Sequence, residues 1–261
     1  MSEVPGLLLG SLWLRPYVFG FLGVHLLGAT AWLGGRRAAA YTLITWAVAF
    51  LAESSSIRTG VPFGWYYYVP DTAGQELWIA GVPFFDSLSF SFLLVSSYGL
   101  AWVWLVPRAG RKAGERLGGL RHALLTTALF VLIDMIIDPV ALRGDRWFLG
   151  RIYGYPEPGA YFGVPLANFV GWAVVGLTAT GLYLAWERRE PPRPVPAWRG
   201  RAWLCPGLYF VVLAFNLGVT FAIGEWALGL CGLALAGAVA GGTLLALRRR
   251  AGARREEGMQ A

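Results

Sequence analysis

The sequence predicts an all-α membrane protein with about seven spanning helices. The chain has 261 residues, of which 56% are hydrophobic and only 14% are charged, whereas a soluble domain has about 25% charged residues. Its apolar runs are about twenty residues long, which is the length that crosses a bilayer. The basic residues cluster between these runs, as in cytoplasmic membrane loops. The net charge of +7 therefore does not indicate a nucleic-acid groove, and no nucleic-acid partner is expected.

The first apolar stretch, residues 7–14, is too short to span and ends at Arg15 and Pro16. We expect it to lie at the membrane interface, because proline breaks a helix at this point. Seven longer segments follow, near 16–33, 38–57, 82–106, 122–141, 164–186, 204–223 and 226–247. We assign residues 1–247 to one transmembrane helical domain and residues 248–261 to a basic cytoplasmic tail.

The positions of the basic residues predict the orientation of these segments. Most lie in alternate loops and after the seventh segment; the exceptions are Arg15, Arg58, Arg143, Arg146 and Arg151. The positive-inside rule then places the N-terminus outside and the C-terminus in the cytoplasm. The chain is therefore expected in the cytoplasmic membrane, with its two aromatic loops on the outer face.

Two outer stretches, 53–86 and 138–168, share several features in the same order. In each, an acid precedes an arginine by five positions, and a Tyr-rich loop ends in Gly-Val-Pro with a polar residue three positions later. The matching positions are Glu53 with Asp138, Arg58 with Arg143, and Asp86 with Asn168. This order predicts an internal duplication that relates the second and third segments to the fourth and fifth. The alternative is that membrane interfaces simply favour Pro, Gly and Tyr.

Four carboxyl groups lie inside predicted spans: Glu53, Asp86, Asp134 and Asp138. Ionisable groups are costly in a bilayer and commonly mark a functional site. The helix directions place three of them in the outer third of the membrane, with Asp134 one turn deeper on the face of Asp138. Structural roles are the alternative, namely ion pairs with the arginines five positions on or, for Asp86, a first-turn acid.

Several carboxyl groups in a low dielectric cannot all ionise at low cost. At least one is expected to keep its proton near neutral pH, as a general acid must. About half of the loop aromatics are expected to form an interfacial belt, and the others to line a pocket that stabilises positive charge. The candidate substrate-binding residues are Arg58, Trp65, Tyr66, Tyr68, Arg143, Tyr153, Tyr155 and Asn168.

Several spaced motifs resemble one known family. They are ES-x-S-x-R-TG-x-PFG-x-Y-x-Y at 53–68, GVP-x-x-D at 81–86, D-x-x-x-DP at 134–139 and GVP-x-x-N at 163–168. In these motifs the chain resembles the membrane carotenoid hydratases of the bisanhydrobacterioruberin hydratase and γ-carotene 1′,2′-hydratase type. The resemblance covers roughly residues 40–220.

The resemblance implies acid-catalysed hydration of the terminal isoprenoid double bond of an acyclic-ended carotenoid or other long isoprenoid. A proton adds to C-2, water adds to the tertiary cation at C-1, and no metal, nucleotide or redox cofactor is needed. The implied partners are the lipid bilayer and other enzymes of the carotenoid pathway. On chemical grounds, Asp134 or Asp138 would donate the proton, Asp86 or Glu53 would orient the water, and the two arginines would set the charge of the neighbouring acids.

Three other functions are alternatives to hydration. A carotenoid end-group cyclase protonates the same bond, and the sequence does not separate it from a hydratase. A proton-coupled transporter would use acids as a relay across the bilayer, but the acids here cluster near one face. A retinal protein needs a lysine within the membrane, whereas Lys112 lies in a predicted cytoplasmic loop.

Overall fold

The computed structural model describes residues 3–105, 118–191 and 200–260. Within these ranges the chain forms eight α-helices and four strands of two residues each. The helices are α1 (Glu3–Leu14), α2 (Pro16–Leu33), α3 (Gly35–Thr59), α4 (Phe84–Leu105), α5 (Leu120–Ala141), α6 (Leu166–Glu187), α7 (Leu204–Ala222) and α8 (Trp226–Gln260). The strands are β1 (Tyr67–Tyr68), β2 (Trp78–Ile79), β3 (Val82–Pro83) and β4 (Tyr153–Gly154).

Each of the seven predicted segments is a helix, from α2 to α8, and the all-α membrane class is confirmed. Among the described residues, six of these helices are long and apolar enough to cross a membrane. Helix α3 is less apolar, because it contains Glu53, Arg58 and three consecutive serines. The short lead-in is α1, which ends just before Arg15. Helix α8 extends to Gln260 and so includes most of the predicted tail.

The basic clusters that predicted the orientation are described only in part. Residues 106–117, with Arg108, Arg111, Lys112 and Arg116, lie outside the described residues. The same holds for 192–199, with Arg193 and Arg199. The inside–outside assignment therefore remains a prediction from the sequence.

Helix α4 is the centre of the bundle. Of the residues in its apolar stretch 78% are buried, against 11% for α8, so α4 is surrounded by protein and α8 lies at the periphery. It packs against α2, α3, α5, α7 and α8. Three of its buried serines, Ser91, Ser96 and Ser97, donate to backbone carbonyls, for example Ser91 Oγ to the oxygen of Thr42 at 3.0 Å. Such bonds satisfy polar groups that lipid could not.

The two outer loops pair with each other above the bundle. Strands β1 and β4 are antiparallel, with Tyr67 opposite Gly154 and Tyr68 opposite Tyr153. A Cβ at Gly154 would lie 2.8 Å from the Tyr67 hydroxyl, so the close approach of the loops requires glycine there. The loops thus form one roof over the outer ends of the helices.

A buried ion pair ties the α1–α2 junction to the first outer loop. Arg15 donates from Nη2 to Oε1 of Glu76 at 2.7 Å and from Nε to Oε2 at 2.9 Å. Both residues are buried, and Thr72 Oγ1 also donates to Glu76 Oε1 at 2.6 Å. This paired geometry is the strong form of an arginine–carboxylate contact. It holds the loop over the bundle.

Candidate active site

A cavity lies beneath the roof, between the outer halves of the helices. Its volume is about 150 Å³. The polar and tyrosine side chains that line it are Tyr17, Glu53, Tyr66, Tyr68, Asp86, Ser89, Asp138, Tyr153, Tyr155, Asn168 and Asn216. Most of the residues that the sequence singled out therefore lie around one space.

Asp134 and Asp138 form a buried carboxyl pair on one face of α5. Asn168, in the first turn of α6, donates from Nδ2 to Asp138 Oδ2 at 2.6 Å and to Asp134 Oδ2 at 3.0 Å. Asp138 lines the cavity, whereas Asp134 is fully buried behind it. The Oδ1 atom of Asp134 has no hydrogen-bond partner among the described residues. Only Asp138 of this pair can therefore reach a molecule in the cavity.

Glu53 lies in the cavity wall and is held at both oxygens. The hydroxyl of Tyr68 donates to Oε1 at 2.8 Å, and Ser87 Oγ donates to Oε2. The side chain is 4% exposed. These two bonds fix the orientation of the carboxyl group.

Asp86 differs from the other acids in its surroundings. It lies in the first turn of α4 and lines the cavity. Within the described ranges, no hydrogen bond reaches its carboxyl group, and the charge of Arg15 acts on it. A helix N-terminus and a nearby guanidinium both favour a carboxylate, whereas burial and the neighbouring acids Glu76 and Asp138 oppose it. Asp86 is therefore available to bond a small polar molecule in the cavity.

Four tyrosines form the inner surface of the roof. The ring centroids of Tyr66 and Tyr68 are 5.4 Å apart, those of Tyr153 and Tyr155 are 5.9 Å apart, and Tyr66 is 6.3 Å from Tyr153. Burial, together with the neighbouring carboxyl groups, raises the pKa of all four above the usual tyrosine range. They remain neutral hydrogen-bond donors at physiological pH.

The lower wall towards α4 and α6 consists of aromatic rings. Phe90 and Trp172 are stacked with centroids 4.3 Å apart, and Phe130 packs on Trp172 at 4.6 Å. Phe63 reaches Phe90 from the first outer loop at 6.0 Å. Ring faces attract positive charge, so this wall suits a ligand that is apolar and becomes cationic.

Three predicted binding residues lie outside the cavity lining. Arg58 donates from Nη1 to Ser54 Oγ at 2.7 Å. Trp65 is 57% exposed and covers Gly60. Arg143 Nε pairs with Glu225 at 3.1 Å. The arginines therefore contact backbone and surface groups, and the charge beside the cavity acids comes from Arg15.

The two arginines nevertheless occupy matching positions. Each donates to the carbonyl four residues earlier, Arg58 to Ser54 and Arg143 to Pro139. Each also donates to the carbonyl just before Gly-Val-Pro: Arg58 to Ala80 at 2.6 Å and Arg143 to Phe162 at 3.2 Å. These two carbonyl residues have left-handed backbones, with φ of 50° and 49°.

Several residues of the site were not predicted from the sequence. Arg15, Ser87, Trp172 and Phe215 carry no local pattern that separates them from ordinary helix or loop residues. Their roles come from contacts between elements distant in the chain. Of these residues, Ser87 came closest to being predictable from the sequence, since it directly follows the candidate acid Asp86.

Comparison with known proteins identifies the family. The family model described as "Carotenoid biosynthesis protein" matches residues 14–239, which is most of the chain. The chain belongs to the carotenoid biosynthesis protein family. All four acids and Asn168 of this family member lie within the matched range.

One relative of this carotenoid biosynthesis protein is bisanhydrobacterioruberin hydratase from Haloarcula japonica. The two are 28% identical over 187 residues, which is 70% of this chain and 58% of the relative. The chain thus covers less than two thirds of the relative's length. No solved structure matches the chain.

The site of this carotenoid biosynthesis protein combines three chemical capacities. A buried carboxyl pair can supply a proton, aromatic rings can stabilise a cation, and a separate carboxylate can hold a polar molecule. Asp138, the aromatic rings and Asp86 all line the same cavity.

Proposed function

We propose that this protein hydrates the terminal isoprenoid double bond of an acyclic-ended carotenoid to a tertiary alcohol. The observation that carries the proposal is the position of Asp138 and Asp86 around one aromatic-walled cavity, where Asn168 bridges Asp138 to a second carboxyl group and Asp86 has no such partner in the described part of the chain. Membership of the carotenoid biosynthesis family supports the substrate class. The hydratase name of the relative supports the addition of water.

Asp138 donates the proton in this mechanism. Two adjacent carboxyl groups in a dry environment cannot both be charged at low cost, so the pair with Asp134 retains a proton. The π electrons of the substrate form the new C–H bond at C-2, and a tertiary cation remains at C-1. Asn168 orients both carboxyl groups through its amide. Asp134 acts through Asp138 and is a positioning residue.

The aromatic wall stabilises the cation until water reaches it. The stacked rings of Phe90 and Trp172 and the roof tyrosines present π faces to the cavity. A desolvated cation–ring contact contributes about 2 kcal/mol. The apolar wall also limits how many water molecules enter.

Asp86 binds the attacking water and accepts its proton as the oxygen bonds to C-1. This role needs a carboxylate, which Arg15 and the α4 N-terminus favour and which burial opposes. Glu53 lies in the same cavity wall, where its bonds to Tyr68 and Ser87 hold it in place. The substrate gains one water in total, and the cycle closes when the proton that Asp86 has gained returns to Asp138 by exchange with water in the cavity. The reaction requires no metal or redox cofactor.

We also propose that α2 to α8 all span the cytoplasmic membrane, with the roof outside and the C-terminus inside. Helix α3 has 25 residues, about 37 Å of helix, which exceeds the bilayer core of about 30 Å. The alternation of basic loops in the sequence supports the direction.

An internal duplication explains the paired features of the two outer stretches. The matching bonds of Arg58 and Arg143, and the two left-handed residues before Gly-Val-Pro, support a common origin. Glu53 and Asp138 then occupy equivalent positions in the two halves. Each also accepts a bond from the hydroxyl of a tyrosine fifteen residues later, although Tyr68 donates to the carboxyl group of Glu53 and Tyr153 to the main-chain oxygen of Asp138.

Expression in a host that accumulates lycopene or another acyclic-ended carotenoid tests the function. Hydration adds the mass of one water per modified end, and growth in ¹⁸O-labelled water places the label in the product. An Asp138→Asn variant is the negative control. A cyclised pigment of unchanged mass would show that the protein is a cyclase and not a hydratase. Uptake of a labelled solute by vesicles, with no change in the pigment, would favour a transporter.

A further inference from the structure

Part of the cavity lining is apolar, and we call this part the arm. It consists of Phe21 from α2, Phe92 and Leu93 from α4, and Val212 and Phe215 from α7. Phe92 lies six residues beyond Asp86 on the same helix, which corresponds to about 9 Å of depth. The arm therefore leads from the acid site towards the middle of the bundle.

Two other directions out of the cavity are closed. The paired strands β1 and β4 and the four tyrosines cover the outer side. The stacked Phe90 and Trp172, with Phe130 behind them, fill the side towards α5 and α6. These three rings are 6% exposed or less.

The wall between α2 and α7 is different, because it is made of partly exposed aromatic rings. Tyr17 stacks on Phe215 with centroids 5.5 Å apart, and Phe21 meets Phe215 edge-on at 5.6 Å. Phe148 covers this pair from outside and is 61% exposed. On α7, Val211 is also exposed, at 53%, so this seam faces the surroundings of the bundle.

We propose that the chain of an isoprenoid substrate leaves the cavity through this seam, past Phe21 and Phe215, and extends into the bilayer. The identity of the reacting end group rests on the proposed function. A volume of about 150 Å³ holds an end group but not a whole long polyene. The rings of the seam contact each other by dispersion, so rotamer changes open it at little cost. Their faces then stack along the polyene.

The first test measures carotenoid binding without requiring catalysis. Wild-type protein and two variants are purified from a host that accumulates an acyclic carotenoid, and the pigment retained per protein is read from absorbance. Phe215→Trp fills the seam and is expected to reduce retention about fivefold or more. Phe210→Trp, on the same helix but away from the lining, is the matched control and should retain wild-type amounts. Equal retention by Phe215→Trp and wild type, at equal melting temperature, would overturn the proposal, as would a wild type that retains no pigment.

The second test compares a long carotenoid with a ten-carbon isoprenoid that has the same end group. Phe215→Trp should slow hydration of the long substrate and leave the short one near the wild-type rate. Equal loss on both would place Phe215 in the end-group site and refute the exit route. If the wild-type protein retained carotenoid but hydrated neither substrate, the proposed hydratase function would be refuted. The retention data would still show whether the substrate chain leaves through the seam.

Discussion

An Asp138→Asn substitution removes the proposed catalytic proton but keeps the shape of the side chain. The amide oxygen of the new asparagine can still accept the bond from Asn168, which is 2.6 Å long in the wild type. We therefore expect the variant to fold with nearly normal stability. General acid catalysis contributes about 10²- to 10⁴-fold in rate, or about 3–5 kcal/mol of barrier. The hydration rate should fall by that factor.

Asp134→Asn is the matched control for this substitution. It makes the same chemical change four residues away on α5. Asp134 also accepts a bond from the amide of Asn168, but it lies outside the cavity lining. Because this residue acts only through its neighbour, we expect a smaller loss than for Asp138→Asn. Asp86→Asn removes the base and should cost about 10²-fold or more.

The assay measures initial rates of hydrated product in membranes that contain equal amounts of each variant. Products are quantified by mass, and melting temperatures of the purified variants confirm that they are folded. If Asp138→Asn kept more than about a tenth of wild-type activity, the donor assignment would be refuted. If Asp134→Asn lost as much as Asp138→Asn, the proton would depend on both carboxyl groups, and the assignment to Asp138 alone would be wrong.

Three further predictions concern the structure around the site. Arg15→Gln leaves Glu76 buried without its cation, so we expect about 3–5 kcal/mol of destabilisation and a lower melting temperature; an unchanged value would contradict a buried ion pair. Gly171→Ala places a Cβ 2.2 Å from a phenylalanine ring of the first loop, whereas Gly181→Ala, on the same helix, meets open space. The first should cost about 1–3 kcal/mol by overpacking and the second nothing, and similar melting temperatures would refute that packing. Tyr68→Phe removes the bond to the glutamate in the cavity wall and should cost about 1 kcal/mol; full stability together with full activity would show that this bond does not matter.

The helices could be predicted from the sequence because apolar runs of spanning length leave few alternatives. Helix α2 has the predicted bounds, Pro16–Leu33, since Pro16 begins it and Gly34 follows it. The apolar part of α8, Trp226–Arg249, ends two residues after the predicted segment, and the helix itself continues to Gln260. The paired strands of the roof were not predicted, since two residues each are too few for a periodic pattern.

The site could be predicted only where local geometry was enough. A spacing of four indicated that Asp134 and Asp138 share a helix face, and both meet Asn168. A spacing of five misled the assignment of Arg58, because five residues rotate a helix by about 140° from the starting side chain. Arg58 instead bonds Ser54, four residues earlier. Contacts such as that between Arg15 and Glu76, 61 residues apart, leave no trace in either local sequence.

The pairing of β1 with β4 has a consequence for how the enclosure is assembled. Each strand comes from a different half of the chain, and main-chain bonds join them. Neither half can close the space over the acids alone. If the chain were divided between Leu105 and Leu120, the cavity should be covered again only when both pieces are in the same bilayer. The two halves therefore depend on each other as two subunits of a dimer would.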